Sequence, residues 1–168
     1  VGNVERVLSL SVSKSGLVFL ASKDGLVIVD PDRKVSELIA VDNSLTALSS
    51  VDAVSAYDSI VHIGGKEGVY AWDMSTNEKR FYPFKIPSSS SSISDVYVSE
   101  LGRLYVAAGG LFEIKEGRII KPDFMSPLIT SDGIKSIVKI AELPSGELLI
   151  ASSQLGLVSI SHSHEAIN

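Results

Sequence analysis

The chain has 168 residues and a mass of 17.9 kDa, the size of one ordinary domain. Fifteen Lys and Arg against twenty Asp and Glu leave a net charge of −5 without a basic run, which excludes nucleic acid and an anionic membrane surface as partners. A hydrophobic fraction of 45% with 21% charged residues indicates a globular chain. No apolar stretch approaches the roughly 18 residues of a membrane-spanning helix, so no membrane insertion is expected in this segment. The absence of Cys removes disulfides, thiolate catalysis and Cys-based zinc sites. Val1 opens the sequence without a signal-peptide pattern, so no targeting segment is expected within it.

In chain order the sequence predicts short strands divided by turn chemistry. Strands over Val4–Val12 and Leu17–Ala21 flank the turn Ser13-Lys14-Ser15-Gly16. Lys23-Asp24-Gly25 leads into a third strand over Leu26–Val29, because Asp-Gly supplies the positive φ of a tight hairpin. Asp30-Pro31-Asp32-Arg33 turns the chain into an outer strand over Val35–Val41, Pro presetting φ at the second turn position. The next strands are expected over Val51–Tyr57, Ile60–Ile63, Val69–Trp72 and Arg80–Phe84. Ile93–Val98, Leu104–Ala107, Leu111–Ile114 and Arg118–Ile120 follow, and then Ile137–Ile140, Leu148–Ile150 and Leu157–Ile160. No stretch carries a helical apolar stripe with a cap and a glycine stop.

These strands repeat. Gly16-Leu17-Val18-Phe19-Leu20-Ala21-Ser22 returns as Ser59-Ile60-Val61-His62-Ile63-Gly64-Gly65, as Gly102-Arg103-Leu104-Tyr105-Val106-Ala107-Ala108 and as Gly146-Glu147-Leu148-Leu149-Ile150-Ala151-Ser152. The fourth positions, Phe19, His62, Tyr105 and Leu149, are spaced by 43, 43 and 44 residues. A second landmark, Gly25-Leu26, Gly68-Val69, Gly110-Leu111 and Gly156-Leu157, keeps the same beat. Four antiparallel strands per unit of about 43 residues is the signature of a propeller blade, a sheet apolar on both faces that must stack on its neighbours. The expected fold is therefore all-β: four blades at about 4–41, 51–84, 93–124 and 135–164, the last incomplete, in one partial β-propeller domain over 1–168.

The repeated segment resembles the two-component regulator propeller repeat, whose pattern is roughly Gly-x-Leu-Trp-Ile-Gly-Thr followed after two or three residues by Gly-Leu. The resemblance covers about residues 4–164 and includes the linkers Asn43-Ser44-Leu45 and Asp132-Gly133-Ile134. The family's Trp is replaced by Phe19, His62, Tyr105 and Leu149, and its Gly-Thr by Ala-Ser, Gly-Gly, Ala-Ala and Ala-Ser, which makes this a degenerate version. The resemblance implies a sensor ectodomain of a bacterial hybrid two-component system, outside the inner membrane and hence periplasmic; related propellers serve in secretion and assembly at the cell envelope. Such ectodomains carry more than four blades. With only Val1–Asn3 ahead of the first strand and Ser161–Asn168 after the last, the chain is expected to be part of a longer ring, or half of one completed by self-association with a second copy.

No catalytic motif is present: there is no Gly-x-Ser-x-Gly elbow, no His-Glu-x-x-His, and Gly64-Gly65-Lys66 lacks the remainder of a phosphate loop. No catalytic residue, metal site or cofactor is therefore expected. His162 and His164, alternate residues near Glu165, are too few ligands for a metal and read as terminal surface. His62 reads as a histidine packed between blades rather than a base, and Trp72 as an inter-sheet filler rather than a sugar platform. Ser88–Ser92 reads as a flexible loop.

The expected binding face is the rim made by the turns between second and third strands and by the loops between blades. It carries Lys23, Asp24, Lys66, Glu67 and Gln154 in the turns, and Asp42, Asn43 and Asp132 in the loops. Such a mixed-charge rim suits a small polar ligand, a glycan for example, or a protein. Non-enzymatic recognition in signal sensing is the first functional expectation. The alternatives are a metal-dependent propeller hydrolase or lactonase and a structural module of a cell-envelope assembly. An enzyme would gather ligands from the first strands, which offer only Glu5, Asp52, Asp95 and Lys139. Assembly would work through the edge of the incomplete blade.

Overall fold

The computed structural model describes residues 6–40, 45, 47–84, 92–122 and 136–161. Among them there is no helix, and the strands form four antiparallel sheets, each hydrogen-bonded in chain order. The first sheet holds β1 (Val7–Val12), β2 (Val18–Ser22), β3 (Gly25–Asp30) and β4 (Val35–Ala40). The second holds β5 (Ala53–Tyr57), β6 (Ile60–Gly65), β7 (Gly68–Asp73) and β8 (Lys79–Pro83). The third is β9 (Asp95–Val98), β10 (Leu104–Ala107), β11 (Leu111–Lys115) and β12 (Arg118–Ile120). Three strands make the fourth: β13 (Ile137–Glu142), β14 (Leu148–Ser152) and β15 (Gly156–Ile160).

First strands lie beside first strands, β1 against β5, β5 against β9 and β9 against β13, so the sheets radiate like blades from a shared axis. The expected propeller architecture is what forms. Strand limits differ in detail. β5 begins at Ala53 and β9 at Asp95, two residues later than expected, because Val51 and Ile93 are fully buried under the blades as the chain enters them. The Asp52 and Ser94 N–H groups donate to the Gly64 and Ala107 carbonyls at this approach. Val4, Glu5 and Val41 lie outside the described residues.

Alternation along each strand divides a blade into a forward face, turned to the next blade, and a rear face. Forward Phe19, Ala21 and Leu26 of the first blade cluster with rear Val54, Val61, Ile63 and Trp72 of the second. Forward Ala53 and Val69 meet rear Val96, Leu104 and Val106 at the next seam. Tyr105, Ala107 and Leu111 then meet Ile140, Leu148 and Ile150 at the third. Two apolar faces become interior only when stacked, which is why the second strands read as unbroken apolar runs.

Polar bonds cross the same seams. The Ser11 hydroxyl accepts the Ala56 N–H at 2.9 Å, and Asp95 accepts the Ile140 N–H at 2.7 Å, each across a separation of 45 residues. Ser94 donates its hydroxyl to the Ile137 carbonyl (2.6 Å) and Tyr57 to that of Glu100 (3.0 Å), each 43 residues on. These bonds satisfy groups that stacking takes from water.

In the first two blades the second glycine landmark has a structural cause. Gly25 has φ +144° and Gly68 φ +157°, and a Cβ there would stand 2.2 Å from the Ile39 and Tyr82 carbonyl oxygens. Glycine at the start of the third strand is what lets the fourth close up beside it.

Candidate functional site

One end of the propeller collects the starts of the first strands and the turns from second to third strands. Lys23 and Asp24, between β2 and β3, are exposed there, as are Lys66 between β6 and β7 and Gln154 between β14 and β15. These turns come from three of the four blades, and the third blade contributes Gly109, with φ +70°, at the same level. Asp42, Asn43 and Asp132 lie outside the described residues, as do His162, His164, Glu165 and Ser88–Ser91.

Glu67 is placed differently from the other turn residues. Its carboxylate accepts the Ser49 N–H at 2.8 Å and the Ser49 hydroxyl at 2.5 Å, clamping the connection between the first two blades to the β6–β7 turn. Burial pushes this carboxyl up, but the two Ser49 bonds outweigh it and hold the group below its ordinary value. Nearby Asp52 is half-buried and shifted upward by burial and by the Glu67 charge, against the hydroxyl of Ser50 donated at 2.8 Å. The rim between the first two blades thus joins exposed Lys23 and Lys66 to an acidic pair already engaged in fixing the loop.

Of the first-strand residues weighed for an enzyme, Asp95 and Lys139 meet. The Lys139 ammonium lies 2.7 Å from Asp95 Oδ1 while Oδ2 accepts the Ile140 N–H. Asp95 is 1% exposed, and burial pushes its carboxyl above its ordinary value against the pull of Lys139 and Ile140. Both oxygens are occupied, and a cation already stands where a metal would be drawn. Asp95 is therefore a latch between the third and fourth blades. Among the described residues no three His, Asp or Glu side chains converge on one point. Glu5 lies outside the described residues.

His62 is 8% exposed on the forward face of the second blade, and its Nδ1 has no hydrogen-bond partner. Burial drives its pKa down to about 4, opposed by a hydrogen bond with the Ser55 backbone, so the ring is neutral between the blades. Trp72 fills the seam between the first two blades; its Nε1–H donates to Asn77 Oδ1 at 3.0 Å and Lys79 lies over the ring. Neither side chain opens on the rim.

One groove was not anticipated. A hollow of about 400 Å³ at the opposite end of the second blade is lined by Ile60, Ala71, Asp73, Glu78, Arg80 and Tyr82. Ala71, Arg80 and Tyr82 share the outer forward face of the second blade there, and Ala71 is small. The alternation of Arg80 and Tyr82 on an edge strand was the sequence signal available for it. Ser75 donates its N–H and hydroxyl to Asp73 and holds that carboxyl below its ordinary value.

The fold has well-matched counterparts among solved structures. The extracellular domain of a hybrid two-component system from B. thetaiotaomicron superposes with a TM-score of 0.68 at 14% identity, over 93% of this chain and 20% of that one. Another hybrid two-component extracellular domain from the same organism gives 0.68 at 17% identity, over 92% and 21%. Virginiamycin B lyase from Staphylococcus aureus gives 0.67 at 12% identity, over 96% and 57%. The chain thus spans about a fifth of the length of the two sensor ectodomains. No protein-family model matches the sequence. No curated protein matches it. At the level of the fold, the resemblance to a propeller-repeat sensor ectodomain is borne out, with an enzyme also among the similar structures.

Proposed function

We propose that this chain is a non-enzymatic recognition segment of a signal-sensing propeller, a single partial propeller domain working in the periplasm. The observation that carries the reading is its likeness, over more than nine-tenths of its length, to extracellular domains of two-component systems. Exposed polar turns of successive blades at one end supply the means of recognition. The ligand, a small glycan or a protein, sits on the rim formed by Lys23, Asp24, Lys66 and Gln154, joined by Asp42, Asn43 and Asp132 of the loops. Several shallow contacts from rigid blades add up to affinity that no single turn supplies. Glu67 positions the loop beside the site. Completion of the ring by self-association belongs to the same reading, since the outward faces of the first and fourth blades carry exposed Leu10, Val12 and Leu157.

The test is a melting-temperature screen against glycans and peptides, followed by titration of each hit against the Lys23→Ala/Lys66→Ala double variant. A hit that the double variant weakens by about tenfold or more supports the rim. Affinities unchanged for every hit overturn it. The likeness to virginiamycin B lyase favours a second reading, an enzyme, which we take to be metal-dependent. Stoichiometric metal retained by the purified protein, found by elemental analysis, would support that reading instead.

A further inference from the structure

The hollow on the second blade is internal to the arc, with a four-stranded blade on either side, and shares no residue with the rim. Cross-strand register arranges its lining in rows. Ala71 of β7 stands opposite Arg80 of β8, and one row away Val69 stands opposite Tyr82. In the other direction Asp73 pairs with Ile60 of β6 and donates its N–H to the Glu78 carbonyl. Side chains on one face recur at every second residue, so the Asp73–Glu78 row lies about 7 Å along the strands from the Ala71–Arg80 row. The floor is low because of one residue: the first blade sets Ile28 opposite Phe19, where the second sets Ala71 opposite His62.

The charges on this face do not neutralise one another. Among the described residues no ion pair joins Arg80 to Asp73 or Glu78. Asp73 is fixed in place, because its Oδ1 accepts both the N–H and the hydroxyl of Ser75. Lys79 belongs to the other face, over the Trp72 ring, which leaves Arg80 as the cation of the hollow. The hollow thus has an anionic end, a cationic end and an apolar floor of Ala71 and Ile60. From this we propose that it is a second binding site, one for a small zwitterion of the amino-acid class. The ligand carboxylate pairs with Arg80, whose planar fork offers two N–H groups to two oxygens. Its ammonium pairs with Glu78 and Asp73, and its side chain lies over Ala71 and Ile60. A volume of about 400 Å³ stands at the lower end of the roughly 300–1,000 Å³ of small-molecule sites, as a ligand of this size requires. A neutral sugar would leave both charges of the hollow uncompensated, and a diamine would set one of its cations beside Arg80. The site is at the far end of the blade from the rim, and its occupation is independent of what the rim binds.

The experiment is an NMR chemical-shift titration of the intact chain with L-alanine, L-leucine and L-phenylalanine, each beside its N-acetyl and carboxamide derivatives. At least one free amino acid is expected to bind, and both of its derivatives about tenfold or more weaker, each having lost one charged contact. Arg80→Gln weakens the free amino acid by about tenfold or more and leaves the carboxamide unchanged. Glu78→Gln weakens it in the same way and leaves the N-acetyl form unchanged. This crossed pattern reports which end of the ligand each side chain holds, and a general loosening of the blade would not reproduce it. Both residues are exposed, so the two variants are expected to keep the melting of the parent. Ala71→Ile, which gives the floor the side chain carried at Ile28, abolishes binding; should it fail to fold, the two charge variants decide. Absence of binding by all three amino acids at about 10 mM overturns the proposal. So do derivatives that bind as well as the free amino acid, an affinity unmoved by Arg80→Gln, or a folded Ala71→Ile protein that binds like the parent. Lys23→Ala/Lys66→Ala leaves the amino-acid affinity unchanged, so failure at the rim and failure at the hollow are told apart.

Discussion

A neutral histidine sealed between two blades makes stability depend on acidity in a way one substitution removes. In the unfolded chain His62 takes up a proton near its ordinary value of 6.5, whereas in the folded protein burial holds it back to about 4. Its contribution is therefore complete above pH 6.5 and is lost as the pH falls toward 4, the unfolded state binding the proton that the folded state refuses. At 1.36 kcal/mol per pH unit of difference, the full loss is about 3 kcal/mol, of which about 2.5 kcal/mol has gone by pH 4.5. The assay is urea unfolding of the parent and of His62→Leu at about pH 8 and pH 4.5; Leu149 fills the matching position of the fourth blade without a titrating group. Asp52 and Asp95, whose carboxyls are shifted upward, act in the opposite sense but equally in both proteins, so they cancel in the comparison. The parent should lose about 2.5 kcal/mol more than the variant between the two conditions. Equal losses would refute the placing of an uncharged His62 in the seam.

Asp95→Ala strips the partner from Lys139 and from the Ile140 N–H and should cost about 3 kcal/mol, read from the urea midpoint at neutral pH. Lys14→Ala breaks an equally short ion pair to Asp58, but both side chains lie in water, so the midpoint should not move. Gly68→Ala drives a Cβ onto the Tyr82 carbonyl and should cost about 2–4 kcal/mol. Gly156→Ala, at φ +73° with open space beside it, should cost only about 1 kcal/mol for the left-handed backbone. Glu67→Gln should leave the fold in place while loosening Ser49, detected as faster amide exchange at Ser49 with β6 and β7 unaffected.

Strands and their grouping into blades were legible because turn glycines and apolar runs are local signals, repeated often enough to expose the period. The seams were less legible. Ser11 and Asp95 look like ordinary polar residues of a strand, and only stacking reveals that each meets the backbone of a residue 45 positions away. Asp95 was weighed as one of a set of ligands, and its pairing with Lys139 followed from the approach of β9 to β13 rather than from any spacing within a strand. Glu67 looked like a free rim charge because its bond to Ser49 depends on the path of the connection between blades, about which composition says little. The groove beside Ala71 escaped notice for a similar reason: its lining comes from three strands of the second blade brought side by side, which no single stretch of sequence displays.

Among the described residues, side-chain bonds from one blade to the next span 42–45 residues, as at Ser11 with Ala56, Tyr57 with Glu100, Ser94 with Ile137 and Glu100 with Glu142. Each therefore closes a chain loop of nearly one size, and the entropy of closing it does not depend on how many others exist. Lengthening such a chain by tandem duplication adds a new unit without altering the closure cost of any older one. Ring size can thus drift over evolutionary time by whole units, checked only by whether the final curvature lets the two ends meet.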